Sequence, residues 1–428
     1  MHIFFSAIGG AGIGPLALIA HQAGYYVSGS DKQDSRTIEY LKRHGITNIH
    51  IGQSATQIKK IHDSKPIDWL VYSSAVSLEN PDSEELEFCK INGIKATKRD
   101  EFLNYLLNDK NLKLIAVAGT HGKSTTTAMV IWLFKQFNIP ISYSLGAKIS
   151  FGDIGHYDKN SQYFVYEADE FDRNFLHFQP FYSVISGVSW DHHEIFKTRD
   201  EYKQAFKQFI DQSKSVLMLE TDVNYLDVKN LSNINEINNE SSNRIKLIGQ
   251  FNRLDGLLAA KAFSSITNIE FNEILPKINL FPGLERRMEE IIPNLYSDYA
   301  HTPEKIKAAL NVASEMVVNN QPIIVVYEPL TNRRQHYIKD DYSDVFSHAE
   351  HVYWLPSYLA REDSNQSILS PEDLIKHLAD PSIATPAKMD KLLFEDIKMH
   401  LKRGAMVVGL NGGGGGGLDE WLRLSFVA

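Results

Sequence analysis

Short apolar runs alternate with amphipathic stretches from the first residues of the chain to about residue 108. The run His2–Ile8 predicts a buried strand, and Pro15–Ala23 has the spacing of an amphipathic helix. Tyr25–Ser30 and Trp69–Ser73 predict two further strands. Strands that alternate with helices in this order predict a parallel sheet with helices on both faces.

The same alternation begins again twice along the chain. Lys113–Ala118 predicts a buried strand that leads into a helix from about Thr125 to Phe137, and a third set begins near residue 285. Between Asp222 and Arg244 the chain is rich in Asn and Ser, which predicts a polar, mobile loop. We therefore predict an α/β protein built from three consecutive α/β units.

Composition narrows the class of protein. The 428 residues are 43% apolar and 23% charged, which is ordinary for a globular protein. A net charge of −9 argues against a nucleic-acid partner, and the single cysteine, Cys89, excludes an intrachain disulfide and a cysteine-based zinc site. The chain lacks a basic segment before its first apolar run and lacks an apolar run of about 20 residues. These features predict a soluble, cytoplasmic protein without a membrane partner.

A phosphate-binding loop is the strongest chemical signal. It lies between the predicted strand and helix of the second unit and consists of Gly119, Thr120, His121, Gly122, Lys123, Ser124 and Thr125. In such a loop the backbone amides surround a phosphate, the lysine reaches the outer phosphates, and the serine hydroxyl can bind Mg²⁺. Val117 stands where the full pattern has its first glycine, so the loop is a shortened variant.

A second glycine-rich turn follows the first predicted strand. Gly10 and Gly12 match part of a dinucleotide fingerprint, but Pro15 occupies the place of the third glycine. Asp31 ends the next strand, where a carboxylate can bond a ribose hydroxyl. The pattern is compatible with two interpretations. The turn could bind a nucleotide diphosphate, or it could connect strand and helix without binding a ligand.

Two acidic segments follow strands of the second unit. Glu167-Ala168-Asp169-Glu170 stands where ligands of open α/β sheets usually bind, and ATP chemistry needs carboxylates on Mg²⁺. Asp191-His192-His193-Glu194 lacks the spacing of a zinc site. A solvated acidic loop is the alternative for the first segment.

In combination, these motifs resemble the Mur ligases, the amide-forming enzymes of peptidoglycan precursor synthesis. The segments that carry the resemblance are AVAGTHGKSTTT at 116–127, EADEFD at 167–172, DHHEIF at 191–196, GQFNRLDGLLAA at 249–260, LERRMEE at 284–290 and SDYAHTP at 297–303. They occur in the family's order along nearly the whole chain. IGGAGIGPLA, VSGSD and VYSSAVSLENP are most similar to the branch that joins L-alanine to UDP-N-acetylmuramate.

The resemblance implies three domains and a set of ligands. Residues 1–109 would form a Rossmann-like domain that binds the UDP-sugar, residues 110–284 a P-loop ATPase-like domain, and residues 285–428 a Rossmann-like domain for the amino substrate. The implied cofactors are ATP and Mg²⁺, and the implied partners are UDP-N-acetylmuramate and an amino acid or short peptide. The sequence predicts no oligomeric state.

The resemblance also implies roles for individual residues. Lys123, Glu167 and His192 would be catalytic, with Ser124, Glu167 and His192 holding metal and Asn252 joining the phosphate loop on ATP. The UDP-sugar would be held by Gly10, Gly12, Asp31, Ser73 and Ser74. Candidates for the amino substrate or phosphate are Arg287, His301 and Arg334. A hydrogen-bonded histidine at a domain edge is the alternative for His301.

Some residues depart from the family pattern. Phe251 replaces a histidine beside Asn252, and Asp255 replaces an asparagine. Leu330 and Thr331 stand where the alanine-adding branch has His-Arg. Region 221–248 is also shorter than in typical members. These departures leave the amino substrate open.

Three alternative functions follow. A recycling ligase would join a preformed tripeptide to UDP-N-acetylmuramate, and DHHEIF, VVYEPLTN and LNGGGGGG are similar to that branch. A P-loop ATPase would release phosphate without a sugar nucleotide. A non-catalytic sensor would only bind UDP-sugars.

Overall fold

The computed structural model describes residues 1–73, 76, 83–192, 195–359, 366–412 and 417–427. The chain forms two compact units, one of Met1–Ile245 with Leu254–Phe281 and the other of Lys246–Arg253 with Pro282–Ala428. Within the described residues, none of the helices is both long enough and apolar enough to cross a membrane.

The first sheet of the first unit is parallel and runs in the order β3-β2-β1-β4-β5. Its strands are β1 His2–Ser6, β2 Tyr26–Asp31, β3 Ile49–Ile51, β4 Trp69–Tyr72 and β5 Lys95–Lys98. Its helices are α1 Gly14–Gln22, α2 Arg36–Arg43, α3 Ala55–Ser64, α4 Glu84–Ile91 and α5 Arg99–Asp109. Strand β1 is buried along its whole length, as its apolar sequence predicted.

The second sheet of the same unit runs in the order β12-β11-β10-β6-β9-β7-β8. Its strands are β6 Lys113–Ala118, β7 Ser142–Ser144, β8 Gly155–His156, β9 Tyr163–Glu167, β10 Tyr182–Ile185, β11 Val216–Leu219 and β12 Ile234–Ile237. Its helices are α6 Lys123–Gln136, α7 Arg199–Gln212, α8 Glu220–Leu226, α9 Gln250–Thr267 and α10 Phe271–Ile278, with short 3₁₀ turns at Phe171–His177 and Glu240–Arg244. Central strand β6 carries the phosphate loop at its carboxyl end.

The second unit contains the third sheet, in the order β13-β14-β18-β15-β16-β17. Its strands are β13 Glu289–Ile292, β14 Leu295–Asp298, β15 Ile323–Glu328, β16 His351–Trp354, β17 Ala384–Pro386 and β18 Met406–Asn411. Its helices are α11 Pro303–Met316, α12 Asn332–Ile338, α13 Pro371–Ile375, α14 Lys391–Lys402 and α15 Leu418–Phe426, with 3₁₀ turns at Lys339–Tyr342 and Pro381–Ile383. β13 pairs antiparallel with β14, and the other pairs are parallel.

The prediction of a mobile loop between Asp222 and Arg244 is wrong. Helix α8 begins before this segment, and β12 adds to the sheet by pairing in parallel with β11, Val216 opposite Ile234. Because β12 is an edge strand, its side chains are half-buried or exposed, and an apolar pattern is not required. Asn233 supports the pairing by donating to the carbonyls of Ile210 and Ser213.

The predicted fold class is confirmed, since the chain forms three mostly parallel α/β sheets in series. The strands of each sheet lie within the residue ranges expected for the three domains, but boundaries after residues 109 and 284 stay predictions. Most predicted elements differ from the structure by one to three residues at their ends, which is the usual uncertainty of helix and strand limits.

Candidate functional site

The phosphate loop turns sharply between strand β6 and helix α6. Gly119 and Gly122 have φ of +146° and +74°, values that a residue with a Cβ rarely adopts. The Thr120 amide donates to the Gly187 carbonyl over 2.7 Å, which ties the loop to the segment after β10. Lys123, Ser124 and Thr125 form the first turn of α6, so the loop is the strand–loop–helix arrangement that binds phosphate.

The Lys123 ammonium lies in a buried, hydrogen-bonded position. Its Nζ donates to the Gly119 carbonyl over 2.6 Å and to Glu170 Oε2 over 2.8 Å. The Glu170 side chain is 0% exposed. Burial acts to raise the pKa of Glu170, but the charges of Lys123 and His192 hold it at about 2. Glu170 is therefore a carboxylate that neutralises the loop lysine.

Two oxygen ligands suited to Mg²⁺ meet beside the loop. The Ser124 hydroxyl donates to Glu167 Oε1 over 2.7 Å, and Glu167 Oε2 accepts from the Gly146 amide over 3.1 Å. Within the described ranges, no group of three or more His, Cys, Asp and Glu side chains has a metal-binding arrangement. Mg²⁺ usually binds one or two protein oxygens and completes its shell with water and substrate phosphate, so Ser124 and Glu167 fit this ion.

His192 lies on the other side of Glu170. Its Nε2 is 3.4 Å from Glu170 Oε1, and its ring makes an edge contact with Phe171. The Tyr202 hydroxyl is 3.5 Å from the same carboxylate and shares a 2.7 Å hydrogen bond with Thr120. Lys123 and His192 are thus brought together through Glu170. His193 and Glu194 lie outside the described residues.

Asp255 supports the phosphate loop from helix α9. It accepts a hydrogen bond of 3.1 Å from the Thr126 hydroxyl, and a Cβ at Gly122 would collide with its carboxylate. The side chain is buried. In the sequence, Asp255 is only a departure from the family pattern, and its contact with the loop gives it a structural role there. His121 Nε2, also in the loop, lies 2.7 Å from the Ser189 hydroxyl.

The N-terminal glycine turn closes on itself and on Asp31. The Gly9 amide donates to Asp31 Oδ2 over 2.8 Å, and the Gly10 amide donates to the Ala7 carbonyl over 3.0 Å. Ser73 follows β4, the neighbour of β1, so it lies at the same end of the first sheet. Ser74 lies outside the described residues. Four of the candidates therefore lie together at the carboxyl ends of strands β1, β2 and β4, namely Gly10, Gly12, Asp31 and Ser73.

The remaining candidates lie in the second unit. The Asn252 side chain donates to the Ile248 carbonyl over 2.7 Å, and the neighbouring Phe251 is 51% exposed. Arg253 forms a 2.8 Å ion pair with Glu315, which also accepts the Gly249 amide. Phe251 thus presents an exposed aromatic ring in the first turn of helix α9, which these contacts hold in place.

Arg287 and His301 lie close to each other at the end of β14. Both are within 3.3 Å of the Tyr299 carbonyl, Arg287 through Nη1 and His301 through Nδ1. His301 is only 5% exposed. Arg334 belongs to helix α12, and its charge acts on the buried Tyr327. The Tyr327 hydroxyl in turn donates weakly to the His301 carbonyl over 3.4 Å.

Sequence reasoning missed the individual roles of Glu170 and Asp255. Glu170 was within an acidic run that had been singled out, but nothing in the run shows which carboxylate faces the lysine. Asp255 is 129 positions from its partner Thr126, so only folding reveals their contact.

Two protein-family models match the chain. The Mur ligase family catalytic domain matches residues 2–111, and the Mur ligase middle domain matches residues 117–255. These matches include the glycine turn, the phosphate loop and both acidic segments.

Curated relatives and solved structures agree with the family models. The chain is 31% identical to the UDP-N-acetylmuramate–L-alanine ligase of Caldicellulosiruptor bescii, with 87% of each chain covered. It is 30% identical to the ligase of the same name from Clostridium tetani, over 94% of this chain and 92% of that one. The crystal structure of UDP-N-acetylmuramate–alanine ligase from Thermotoga maritima has a TM-score of 0.74 at 23% identity, covering 97% and 96%. A murein peptide ligase from Psychrobacter arcticus has a TM-score of 0.69 at 22% identity, covering 99% and 98%.

A phosphate loop at the carboxyl end of a mostly parallel sheet, with a buried lysine–carboxylate pair, defines a nucleotide-dependent α/β enzyme. The identity and coverage of the curated relatives make the class specific: the chain belongs to the Mur ligase family. It is an ATP-dependent carbon–nitrogen ligase of peptidoglycan synthesis.

Proposed function

We propose that this chain joins L-alanine to the lactyl carboxylate of UDP-N-acetylmuramate, with ATP converting that carboxylate to an acyl phosphate. The substrate names come from curated relatives at about 30% identity over most of the chain. The observation that carries the reaction type is the convergence of Lys123, Ser124 and Glu167 at the carboxyl ends of the paired strands β6 and β9. These groups supply a cation and two oxygen ligands where a transferring phosphoryl group needs them.

Lys123 would act on the phosphoryl group by charge. A phosphate in the loop would compete with Glu170 for the ammonium, which donates to Glu170 over 2.8 Å. Lys123 stays protonated although it is buried. Burial by itself lowers its pKa, but the charges of Glu170, Asp169 and Glu167 outweigh burial and raise the pKa above its ordinary value. A permanently charged lysine stabilises negative charge as the phosphoryl group passes to the lactyl oxygen.

Ser124 and Glu167 would hold Mg²⁺, which would neutralise phosphate charge when bound. His192 is the proposed further metal ligand, and its ring lies 3.4 Å from the Glu170 carboxylate. The adenine would be held by Asn252, with Phe251 offering an exposed ring for stacking. The UDP-sugar would lie at Gly10, Gly12, Asp31, Ser73 and Ser74.

The amino substrate would be held in the second unit by Arg287, His301 and Arg334. One observation there favours the tripeptide as a second candidate. A Cβ added at Gly412 would lie 2.4 Å from Leu330 Cδ1 and 3.3 Å from His301 Cγ, so the Leu330 side chain and His301 lie on the same side of Gly412. An apolar side chain thus lies where the alanine-adding branch has a histidine, and this removes a polar partner for a small amino acid.

The test is to incubate the protein with ATP, Mg²⁺ and UDP-N-acetylmuramate and to offer one amine at a time. L-alanine, glycine, L-serine and the tripeptide are compared by phosphate release and by the mass of the nucleotide product. We expect phosphate release and product with L-alanine. Product with the tripeptide alone would overturn the alanine assignment, and phosphate release without any sugar nucleotide would favour an ATPase.

A further inference from the structure

The guanidinium of Arg99 lies directly against the N-terminal glycine turn. Arg99 is the first residue of helix α5, and a Cβ at Gly12 would collide with its Nη1 and lie 3.0 Å from its Cζ. A side chain at position 12 would therefore have to displace Arg99. The missing side chain of Gly12 leaves the space in which an arginine head group lies.

The charge of Arg99 is only loosely matched by carboxylates. Its Nε is 3.6 Å from Asp100 Oδ1 and its Nη2 is 3.7 Å from Asp169 Oδ2, both beyond hydrogen-bond range. The side chain is 18% exposed. Among the described residues, Arg99 donates no side-chain hydrogen bond, although a guanidinium carries five N–H donors. A partly buried cation in this state retains donors for a ligand.

A neighbouring ion pair shows what a purely structural link between the same segments looks like. Lys98 Nζ donates to Asp172 over 2.9 Å, a closed hydrogen bond between the end of β5 and the segment after β9. Arg99 spans the same two segments without closing on Asp169. Arg99, unlike Lys98, also lies against the glycine turn.

We propose that Arg99 binds the diphosphate of the nucleotide sugar, with Asp100 and Asp169 as nearby countercharges that leave its N–H donors available. This inference rests on the proposed function, since it needs a UDP-sugar at the glycine turn. A guanidinium fork matches two phosphate oxygens at once, and a glycine turn after a strand lets backbone and phosphate approach closely. Arg99 and the backbone of the glycine turn would form adjacent parts of one anion site, because the guanidinium lies directly on Gly12.

Arg99 lies between the proposed nucleotide-sugar site and the proposed ATP site. Asp169 lies two residues after Glu167, the proposed Mg²⁺ ligand. The pKa of Arg99 is raised mainly by Tyr166 and, to a smaller extent, by nearby carboxylates that include Glu167. The residue that holds the diphosphate is thus a direct neighbour of the acidic segment on the ATP side. We assign the diphosphate rather than the lactyl carboxylate because the contact with Gly12 places Arg99 on the turn.

The test compares Arg99→Gln with Lys98→Gln, its matched neighbour in the same link. Affinities for UDP and for UDP-N-acetylmuramate are measured by isothermal titration calorimetry, and the affinity for uridine, which lacks phosphate, is measured by NMR titration. Arg99→Gln should raise the Kd for UDP about 10- to 100-fold, the value of a charge-assisted hydrogen bond. The Kd of the Arg99→Gln variant for uridine should stay within about twofold of the wild-type value. Lys98→Gln should leave the Kd values for UDP and for uridine unchanged.

Arg99→Lys keeps the charge and serves if the glutamine variant folds poorly. It should weaken UDP less, by about 3- to 10-fold, because a lysine lacks the fork. An unchanged Kd for UDP in both Arg99 variants would overturn the proposal, as would weakening of UDP-N-acetylmuramate alone, which would assign the residue to the lactyl carboxylate. A wild-type protein that binds no UDP would instead contradict the proposed function itself.

Discussion

The ammonium of Lys123 donates to the fully buried carboxylate of Glu170 across 2.8 Å. Breaking a buried pair leaves one uncompensated charge, whereas removing both partners leaves none. The pair therefore gives the phosphate loop a built-in counterion, and its contribution can be separated from that of the loop geometry.

We expect Lys123→Met and Glu170→Gln each to lower the free energy of unfolding by about 3–5 kcal/mol, measured by urea denaturation. The double variant should lose less than the sum, because no unpaired charge remains. The partly exposed pair Lys98–Asp172 is the control, and its removal should cost less than about 1 kcal/mol. Strictly additive losses at Lys123 and Glu170 would show that the two charges do not depend on each other.

Catalysis should depend on Lys123 in a way that nucleotide-sugar binding does not. We expect Lys123→Ala to reduce turnover by at least about 10²- to 10³-fold, the range found when one transition-state donor is lost. The Kd for UDP-N-acetylmuramate, measured by titration, should change less than about twofold, since the glycine turn belongs to a different sheet. Loss of both properties would mean that the two sites are wrongly assigned.

Replacing Gly122 by alanine should destabilise the protein more than the same replacement at a glycine that has a similar φ but no atoms near its Cβ position. Gly122→Ala places a side chain at φ +74° and against Asp255, so we expect a loss of about 2–4 kcal/mol in stability together with weaker ATP binding. Gly93, at φ +66° with nothing within 4 Å of its Cβ position, is the control. Gly93→Ala should cost only the strain of about 1–2 kcal/mol. Equal losses at the two positions would contradict a specific role for the Asp255 contact.

Asp222 should make the protein more stable on mild acidification. Burial raises its pKa to about 6, above the usual value of 3.8, although the Val188 amide donates to it over 3.0 Å and lowers the pKa. The folded state therefore binds a proton more readily than the unfolded state. The contribution of Asp222 to stability rises as the pH falls from about 6 to 4 and is unfavourable above pH 6.

Asp222→Asn keeps an acceptor for the Val188 amide and removes the charge. We expect it to raise the free energy of unfolding at pH 8 by about 1–3 kcal/mol, the equivalent of up to about two pKa units. The two proteins should converge near pH 4, where the native carboxyl is already protonated. A variant that is no more stable at pH 8 would contradict the raised pKa.

Local pattern was enough to predict the elements that carry the site. The apolar run before Gly119 and the helix-forming residues after Lys123 act within a few positions of the loop, so strand, loop and helix are all written in one short segment. The edge strand Ile234–Ile237 was missed for the opposite reason. Its polar side chains face outward, and only its pairing with β11 makes it a strand.

By itself the sequence determined the order of three α/β units, the phosphate loop at Gly119–Thr125, and the family resemblance of the acidic segments. Only the tertiary structure decided which carboxylate faces Lys123, what supports Gly122, and what lies on Gly12. Glu170, Asp255 and Arg99 are separated from those partners by dozens of positions along the chain, and their contacts are made when strands and helices pack. Local periodicity predicts elements, but burial and charge pairing across the fold select the residues that act together.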